Sequence, residues 1–297
     1  MSAAADPQRS AAPTHARTRL GVLGWPVAHS RSPGMHNAAL AALGMAGWRY
    51  QRLPVPPALF DEITRALRLS GFLGANVTIP HKQAALALAD SASRAAREIA
   101  AANTLTFAAD GAIAAENTDA PALASILGAL PAMPAHPRAL VLGAGGSARA
   151  AVWALRESGA SEVMVWNRTP QRAQALADEL GARAVSTPQR ADLLVNCTSV
   201  GLHSPAGVQR SASDKDALNQ LGMAFDQVGN YAYVVDFVYR SEPTPLLAAA
   251  RAHGARTVDG LELLVAQGAL SFELWTGRAA PLALMRAAAR DGEDATG

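Results

Sequence analysis

Hydrophobic residues along the chain form short β-type runs that alternate with longer helical stretches rich in alanine and leucine. Such alternation is typical of α/β layers built around a mostly parallel sheet. Two strands are also expected to flank Asp110 and Gly111, a dipeptide typical of hairpin turns. In the first part of the chain the pattern otherwise predicts strands at 20–23, 48–53 and 74–78, and helices at 33–46, 58–69, from Pro80 onward and at 119–130.

A second α/β pattern follows the segment PAMPAHP, residues 131–137, whose prolines are typical of a domain junction. This second unit begins near residue 138 and ends near residue 258. The segment 222–233 is unusually rich in glycine, tyrosine and asparagine and fits neither a strand nor a helix pattern. The predicted strands of the second part are 138–142, 162–166, 193–195 and 234–236, and its predicted helices are 148–158, 170–180, 245–253 and 260–275.

The composition is that of an ordinary soluble globular protein, with 50% hydrophobic and 17% charged residues in 297. The net charge of +2 is scattered, so no basic face points to nucleic acid or a membrane surface, and no apolar run predicts a transmembrane helix. The single cysteine, Cys197, excludes an internal disulfide framework and fits a reducing, cytoplasmic compartment. Residues 1–18 lack the apolar segment of a secretory signal, and we expect them and the C-terminal DGEDATG to be disordered tails.

A glycine turn, VLGAGGSARA, lies between a predicted strand and a predicted helix. Gly143 permits a tight turn, Gly145 lets a pyrophosphate approach the backbone, and Ala148 lets the helix pack closely on the strand. The anion would then bind the free N–H groups of the helix N-terminus. We therefore predict dinucleotide binding, the alternative being a turn that only shapes the packing.

The residues after the next strand indicate which dinucleotide is bound. An NAD site usually has an acidic residue there for the ribose 2′-hydroxyl, whereas this chain has Asn167, Arg168 and Thr169. A guanidinium and neutral donors accept a 2′-phosphate that a carboxylate would repel. This favours NADP, and the alternative is a solvated arginine at a strand end.

Polar clusters at predicted strand ends and turns form a candidate ligand site in the first half. Asparagine and threonine can each donate and accept hydrogen bonds, which suits a polyhydroxylated ligand. Two serines at a helix start can hold a carboxylate, although either could instead be a simple N-cap. The last three clusters lie where open α/β sheets bind ligands, beyond the carboxyl ends of strands. The clusters are Ser30 with Ser32, Asn76 with Thr78, Asn103 with Thr104, and Asn117 to Asp119.

Lys82 lies four residues after the strand end at Thr78, in the stretch GANVTIPHK. Lys82 and Lys215 are the only lysines among 26 basic residues. Arginine stays protonated, whereas lysine can exchange a proton in catalysis. Pro80 fits the first helical position, which would place Lys82 in the first turn with Asp119 as its partner. The alternative is a surface lysine without a function.

At these residues the chain resembles the shikimate dehydrogenases. The motifs HSRSPGMHNAA, GANVTIPHK, AANTL, ENTDA, GAGGSARA, WNRT, NCTSVG, VVDFVY, TPLL and DGLELLVAQGALSFELW follow the order and approximate spacing of that family over about residues 20–288. The family usually has glycine and proline where this chain has Ala120 and Ser241, which changes the expected loop shape but no proposed catalytic group.

The resemblance implies an α/β fold of two domains with a cleft between them. Residues 19–130 plus 259–290 would form a substrate-binding catalytic domain, and 131–258 a Rossmann-type NADP-binding domain. The implied reaction is the reversible NADPH-dependent reduction of 3-dehydroshikimate to shikimate, on the route to chorismate and aromatic amino acids. A monomer and a homodimer are both compatible with the sequence.

The resemblance also assigns residues to roles in that reaction. Lys82 and Asp119 match the catalytic pair, Ser30 and Ser32 match the holders of the substrate carboxylate, and Tyr239 matches a tyrosine near the substrate. Asn76, Thr78, Asn103 and Gln267 match further substrate contacts. The cofactor site corresponds to Gly143, Ala144, Gly145, Gly146, Ser147, Asn167, Arg168 and Thr169, with Phe237 and Gly260 near the nicotinamide.

Three other functions compete with this one. Quinate, with one more hydroxyl, is the nearest alternative substrate. A thioester-reducing enzyme would need a nucleophilic cysteine in the substrate domain, whereas Cys197 falls in the cofactor half and is expected to be small and buried. A binding module that only senses nucleotides would not need the Lys82 and Asp119 pair. No metal site is predicted, because the seven histidines show no ligand-like grouping.

Overall fold

The computed structural model describes residues 18–202 and 214–291. Within them the chain forms two six-stranded sheets, each with helices packed on it. This is the α/β class that the alternating pattern predicted. The predicted tails fall largely at residues 1–17 and 292–297, which lie outside the described residues, while Asp291 ends a helix.

The first sheet has the strand order β2-β1-β3-β5-β6-β4. Its strands are β1 (Thr18–Gly24), β2 (Trp48–Pro54), β3 (Phe72–Val77), β4 (Ser91–Ala92), β5 (Thr104–Phe107) and β6 (Ile113–Glu116). The helices of this part of the chain are α1 (Ser32–Ala42), α2 (Phe60–Leu67), α3 (Lys82–Leu88), α4 (Arg94–Ile99) and α5 (Asp119–Gly128).

The direction of β5 decides where the polar clusters meet. β1 pairs in parallel with β2 and β3, whereas β5 runs antiparallel to both β3 and β6. The expectation that Asn103 and Thr104 follow a strand is therefore wrong, because they precede β5 or begin it. Antiparallel pairing nevertheless sets Thr104 opposite Asn76, at the carboxyl end of β3.

The second sheet is parallel throughout, in the order β12-β11-β10-β7-β8-β9. Its strands are β7 (Arg138–Leu142), β8 (Glu162–Trp166), β9 (Arg183–Ala184), β10 (Leu193–Asn196), β11 (Tyr233–Asp236) and β12 (Arg256–Val258). The remaining helices are α6 (Gly146–Glu157), α7 (Pro170–Leu180), α8 (Asp214–Gln220), α9 (Pro245–Ala252), α10 (Gly260–Thr276) and α11 (Leu282–Asp291).

The last two helices return to the first sheet. The indole N–H of Trp275 on α10 donates to the main-chain oxygen of Leu105 at 3.1 Å. Gly74 in β3 leaves room for that ring, since a Cβ there would lie 2.2 Å from Trp275 Nε1. The two sheets also share a buried apolar cluster in which Leu123 of α5 and Val152 of α6 take part. These contacts hold the two halves together beside the polar clusters.

Several predicted boundaries differ from the structure. α3 begins at Lys82 rather than Pro80, because Pro80 belongs to a turn closed by the His81 N–H on the Thr78 carbonyl at 3.0 Å. α1 ends at Ala42 rather than residue 46, ahead of Gly44 with its positive φ of 68°. The unassigned segment 222–233 contains a 3-10 turn, Phe225–Asn230, and leads into β11.

Candidate active site

A cavity of about 150 Å³ lies between the two sheets, at the carboxyl ends of β1 and β3. Its lining comes from the turns before α1 and α3, the start of α5, the loops after β10 and β11, and α10. All nine residues predicted to bind or transform a substrate line it, and so do Phe237 and Gly260. The nine are Ser30, Ser32, Asn76, Thr78, Lys82, Asn103, Asp119, Tyr239 and Gln267.

Lys82 forms the polar centre of this cavity. Its Nζ donates to Asp119 Oδ2 at 2.6 Å and to Ser147 Oγ at 2.8 Å. The side chains of Lys82 and Asp119 are only 11% and 9% exposed. Lys82 and Asp119 begin α3 and α5, while Ser147 lies at the start of α6, directly after the glycine turn of the second sheet. One ammonium group therefore connects the two halves and can give a proton to an oxygen bound in the cavity.

Asn103 holds the Asp119 carboxylate in place. Its Nδ2 lies 2.8 Å from Asp119 Oδ1, 2.9 Å from Thr118 Oγ1 and 3.3 Å from Gln267 Oε1. Its Oδ1 accepts from the Thr118 N–H at 2.7 Å. Both ends of this buried amide are bonded, so the carboxylate has a defined orientation before any ligand binds.

Asn76 is held by Thr104, one of the predicted polar residues, and by Tyr50, which sequence reasoning did not single out. Its Oδ1 accepts from the Tyr50 hydroxyl at 2.7 Å, and its Nδ2 donates to Thr104 Oγ1 at 3.0 Å. The Tyr50 ring stacks on His36 with 4.2 Å between centroids. Burial raises the pKa of Tyr50 well above its ordinary value and lowers that of His36 to about 3, so both are neutral near pH 7. His36 belongs to the motif HSRSPGMHNAA. A histidine inside an apolar helix was the sequence signal that could have identified it.

Ser30 and Ser32 line the same cavity and are buried. The Ser32 N–H lies 3.4 Å from Ser30 Oγ, and the Arg52 guanidinium holds the Ser30 carbonyl at 3.0 and 2.8 Å. The residue before α1 is Arg31, so neither serine is the N-cap. Burial raises the pKa of Tyr239, and hydrogen bonds with the Arg31 backbone and the Ser30 hydroxyl lower it by a smaller amount.

A second, larger cavity of about 690 Å³ adjoins the first along the glycine turn. Gly143 has a φ of 107°, and a Cβ there would lie 3.2 Å from the Cys197 backbone, so a glycine is needed. α6 begins at Gly146, earlier than predicted, which turns its free N–H groups toward this cavity. The lining includes Gly143, Ala144, Gly145, Gly146, Ser147, Asn167 and Arg168, with Lys82 and Ser147 common to both cavities.

This larger cavity fits a phosphorylated dinucleotide. Arg168 and Arg172 line its far end, and no acidic residue stands at the end of β8. Thr169 differs from the other predicted cofactor residues, because it is not among the lining residues and instead precedes α7. Its carbonyl accepts from Asn167 Nδ2 at 3.0 Å, which orients the asparagine.

Asp236 is a further residue that sequence reasoning missed, and its hydrogen bonds connect two loops of the site. Its Oδ1 accepts from Asn196 Nδ2 at 2.9 Å and from the Val238 N–H at 3.0 Å, while Oδ2 accepts from Thr244 Oγ1 at 2.6 Å. Burial raises the pKa of Asp236 to about 6. Asn196 in turn holds Thr198, which lines both cavities.

Cys197 packs against the apolar cluster that the two sheets share and is partly exposed where it lines both cavities. Burial raises the pKa of its thiol well above the ordinary value, which disfavours a nucleophilic thiolate. Across residues 18–202 and 214–291, His, Cys, Asp and Glu form no group of three that could hold a metal ion. No helix in the same two ranges is both long and apolar enough to span a bilayer.

A parallel sheet with a glycine turn lies beside a second α/β unit, and the cavity between them contains a lysine–carboxylate pair. This arrangement defines a dinucleotide-dependent oxidoreductase. Family models agree with this class. The model of the shikimate dehydrogenase substrate binding domain matches residues 22–105, that of shikimate / quinate 5-dehydrogenase matches 130–200, and that of the shikimate 5'-dehydrogenase C-terminal domain matches 260–290.

Individual relatives extend the match over most of the chain. The shikimate dehydrogenase (NADP(+)) of Methylobacterium radiotolerans is 44% identical over 280 residues, 88% of this chain and 92% of the relative. The crystal structure of shikimate 5-dehydrogenase from Thermus thermophilus with NADP(H) and shikimate has a TM-score of 0.77 at 42% identity, covering 93% of this chain and 99% of that one. The shikimate dehydrogenase structure from Aquifex aeolicus has a TM-score of 0.80 at 32% identity, covering 92% and 98%. The chain belongs to the shikimate dehydrogenase family.

Proposed function

We propose that this chain catalyses the reversible NADPH-dependent reduction of 3-dehydroshikimate to shikimate, on the route to chorismate and aromatic amino acids. The observation that carries the proposal is the Lys82–Asp119 pair, which lies where the small polar cavity meets the larger one. The family supports it as well, because relatives 42–45% identical are named as NADP-dependent shikimate dehydrogenases.

The small cavity would hold the cyclic hydroxy acid. Ser30 and Ser32, with Arg31 and Arg52 beside them, suit the carboxylate at one wall. The ring hydroxyls would meet asparagine, threonine, tyrosine and glutamine side chains, each of which can donate and accept. These substrate contacts are Asn76, Thr78, Asn103, Tyr239 and Gln267.

Lys82 would supply the proton that the reduction requires. When bound, NADPH supplies a hydride to the ring carbonyl carbon, and negative charge develops on the carbonyl oxygen. The Lys82 ammonium stabilises that charge and transfers a proton to the oxygen, which leaves a hydroxyl group and a neutral amine. In the oxidation direction the neutral amine takes the hydroxyl proton back. Such acid–base help contributes about 10²- to 10⁴-fold in rate, and Asp119 keeps the amine aimed at the oxygen.

The glycine turn and the β8 end would hold the coenzyme. Gly143 to Ser147 and the N-terminus of α6 suit the pyrophosphate. Asn167 and Arg168 suit the 2′-phosphate, Thr169 orients Asn167, and Phe237 and Gly260 border the nicotinamide side where the two cavities meet.

One α/β domain would then bind the substrate and the other the coenzyme. Residues 19–130 with 259–290 form the substrate-binding catalytic domain, and 131–258 form the Rossmann-type coenzyme domain. Shikimate and NADP would be the small-molecule partners. We further place the enzyme in the cytoplasm, which fits its single cysteine, as a monomer or homodimer.

An absorbance assay at the reduced nicotinamide band tests this function. Shikimate and quinate are each offered with NADP and with NAD, and we expect the highest kcat/KM for shikimate with NADP. The same four assays on Arg168→Ala should show a larger loss with NADP than with NAD, because only NADP carries the 2′-phosphate. A wild type that reduces NADP with neither acid would overturn the proposal, and equal losses in the variant would remove the assignment of Arg168.

A further inference from the structure

A third cavity, of about 320 Å³, lies behind the substrate cavity and is lined by four arginines. Arg31, Arg240, Arg251 and Arg290 surround it, and its two carboxylates are Glu242 and Asp259. The guanidinium groups outnumber the lining carboxylates by two, and one of them, Arg290, is paired with Glu262 at 3.2 Å. Asp259 is also engaged, since its Oδ1 accepts from the Glu262 N–H at 3.1 Å to cap α10.

Three of these arginines have no carboxylate partner within the described residues. None of the ion pairs there includes Arg31, Arg240 or Arg251. Arg31 is only 6% exposed, yet its guanidinium binds neutral acceptors, the Ala289 carbonyl and Ser241 Oγ, each at 3.1 Å. Buried charges are normally paired, so this arrangement leaves uncompensated positive charge at the cavity wall.

Arg240 gives the most specific sign of a missing acceptor. Its Nε is buried and has no hydrogen-bond partner in the described part of the chain. The Asp236 carboxylate is stabilised electrostatically by Arg240 but makes no ion pair with it. A buried donor without an acceptor is costly, and an unseen ion is one of the few physical reasons for it.

We propose that this arginine-lined cavity binds a small oxyanion, phosphate either free or carried by a small organic ester. Guanidinium groups bind phosphate oxygens through paired N–H donors, and the volume leaves room for a short carbon skeleton beside the anion. The site is separate from the coenzyme cavity, which shares no lining residue with it.

Occupancy of this cavity would weaken substrate binding. Val238 and Tyr239 line both this cavity and the substrate cavity, and Arg31 lies between Ser30 and Ser32. A bound anion neutralises positive charge close to the serines that would hold the substrate carboxylate. This coupling rests on the proposed function, whereas the binding itself does not.

Thermal unfolding with inorganic phosphate, against chloride at equal ionic strength, tests the binding. Saturating NADP is present throughout, so that phosphate cannot act through the coenzyme cavity. We expect phosphate to raise the Tm by about 2 to 4 °C in the wild type and in Arg65→Gln, a control that removes an exposed arginine paired with Asp61. Arg240→Gln should not show this rise in Tm. If Arg240→Gln does not fold, Arg251→Gln is tested in its place. Glycerol phosphate is titrated in the same assay. The ligand with the lower half-saturating concentration, glycerol phosphate or inorganic phosphate, shows whether the site prefers an ester or the free ion.

The binding proposal fails if phosphate leaves the wild-type Tm unchanged, or raises it equally in the wild type, Arg240→Gln and Arg251→Gln. Steady-state assays at saturating NADP test the coupling. We expect phosphate to raise the KM for shikimate at least twofold in the wild type and not in Arg240→Gln. A KM that phosphate leaves unchanged, together with a raised Tm, would remove the coupling and keep the site.

Discussion

Asp236 is a buried carboxylate whose ionisation should change the stability of the whole chain. Burial raises its pKa from 3.8 to about 6, although Thr244, Val238 and Asn196 all donate to it. An acid whose pKa is raised by folding binds its proton more tightly in the folded state than in the unfolded state. Its contribution to stability is therefore complete below about pH 4 and is lost as the pH rises through 6.

Asp236→Asn tests this effect, because asparagine has the shape of the protonated acid and carries no charge at any pH. The stabilisation at issue is on the order of 3 kcal/mol. We compare the free energy of unfolding of Asp236→Asn with that of the wild type at pH 4.5 and at pH 7.5. The difference, variant minus wild type, should be larger at pH 7.5 by about 1–3 kcal/mol. Urea unfolding at both pH values measures it. A difference that stays constant with pH would show that Asp236 does not titrate in this range.

The residues that act in the site were predictable to different degrees. Lys82 and Asp119 stand in local motifs, so the resemblance to the family identified them at once. Tyr50 and Asp236 did not stand out, because Tyr50 acts on Asn76 and Asp236 acts on Asn196, in each case across two strands far apart in sequence. Such partners become visible only when the sheet brings them together.

α3 and the glycine turn pack directly against each other. A Cβ on Gly146 would lie 3.0 Å from Lys82 Cδ and 2.8 Å from Lys82 Cβ, and the second distance is closer than real Cβ atoms approach in practice. Gly146 therefore leaves space for the Lys82 side chain as well as for the proposed coenzyme. Through this contact the turn sets the position of the Lys82 amine.

Gly146→Ala should displace Lys82 and lower kcat by at least about tenfold, since a small misplacement of a catalytic group can cost up to about 10²-fold. Gly128→Ala is a suitable control, because a Cβ there meets no atom within 4 Å. Its kcat should match that of the wild type. Steady-state assays with shikimate and NADP measure both variants, and a normal kcat for Gly146→Ala would show that the contact does not position Lys82.

Most of the predicted strands and helices are present in the structure, whereas α4, α8 and α11 were not predicted. The bounds of β7, β8 and α7 agree with their hydrophobic pattern and with Pro170 at the helix start. β4 and β9 have two residues each, too few to show a period of two. The direction of β5 depends on its pairing with β3, which local sequence does not encode.

The two sheets contribute different parts of the candidate active site. Lys82 and Asp119 come from the first half of the chain, while Ser147 and the loops after β10 and β11 come from the second. The hydrophobic cluster shared by α5 and α6 fixes their relative position. The central claim is therefore that one lysine, held between the two halves, exchanges the proton of the reaction.

The kcat of Lys82→Arg with shikimate and NADP tests this claim most directly. Arginine keeps the positive charge but cannot exchange a proton at ordinary pH. We expect kcat to fall by about 10²-fold or more in Lys82→Arg and in Lys82→Ala, while the KM for shikimate changes by only a few fold. Titration with NADP should show that both variants still bind the coenzyme. A kcat of Lys82→Arg close to that of the wild type would contradict proton transfer by Lys82.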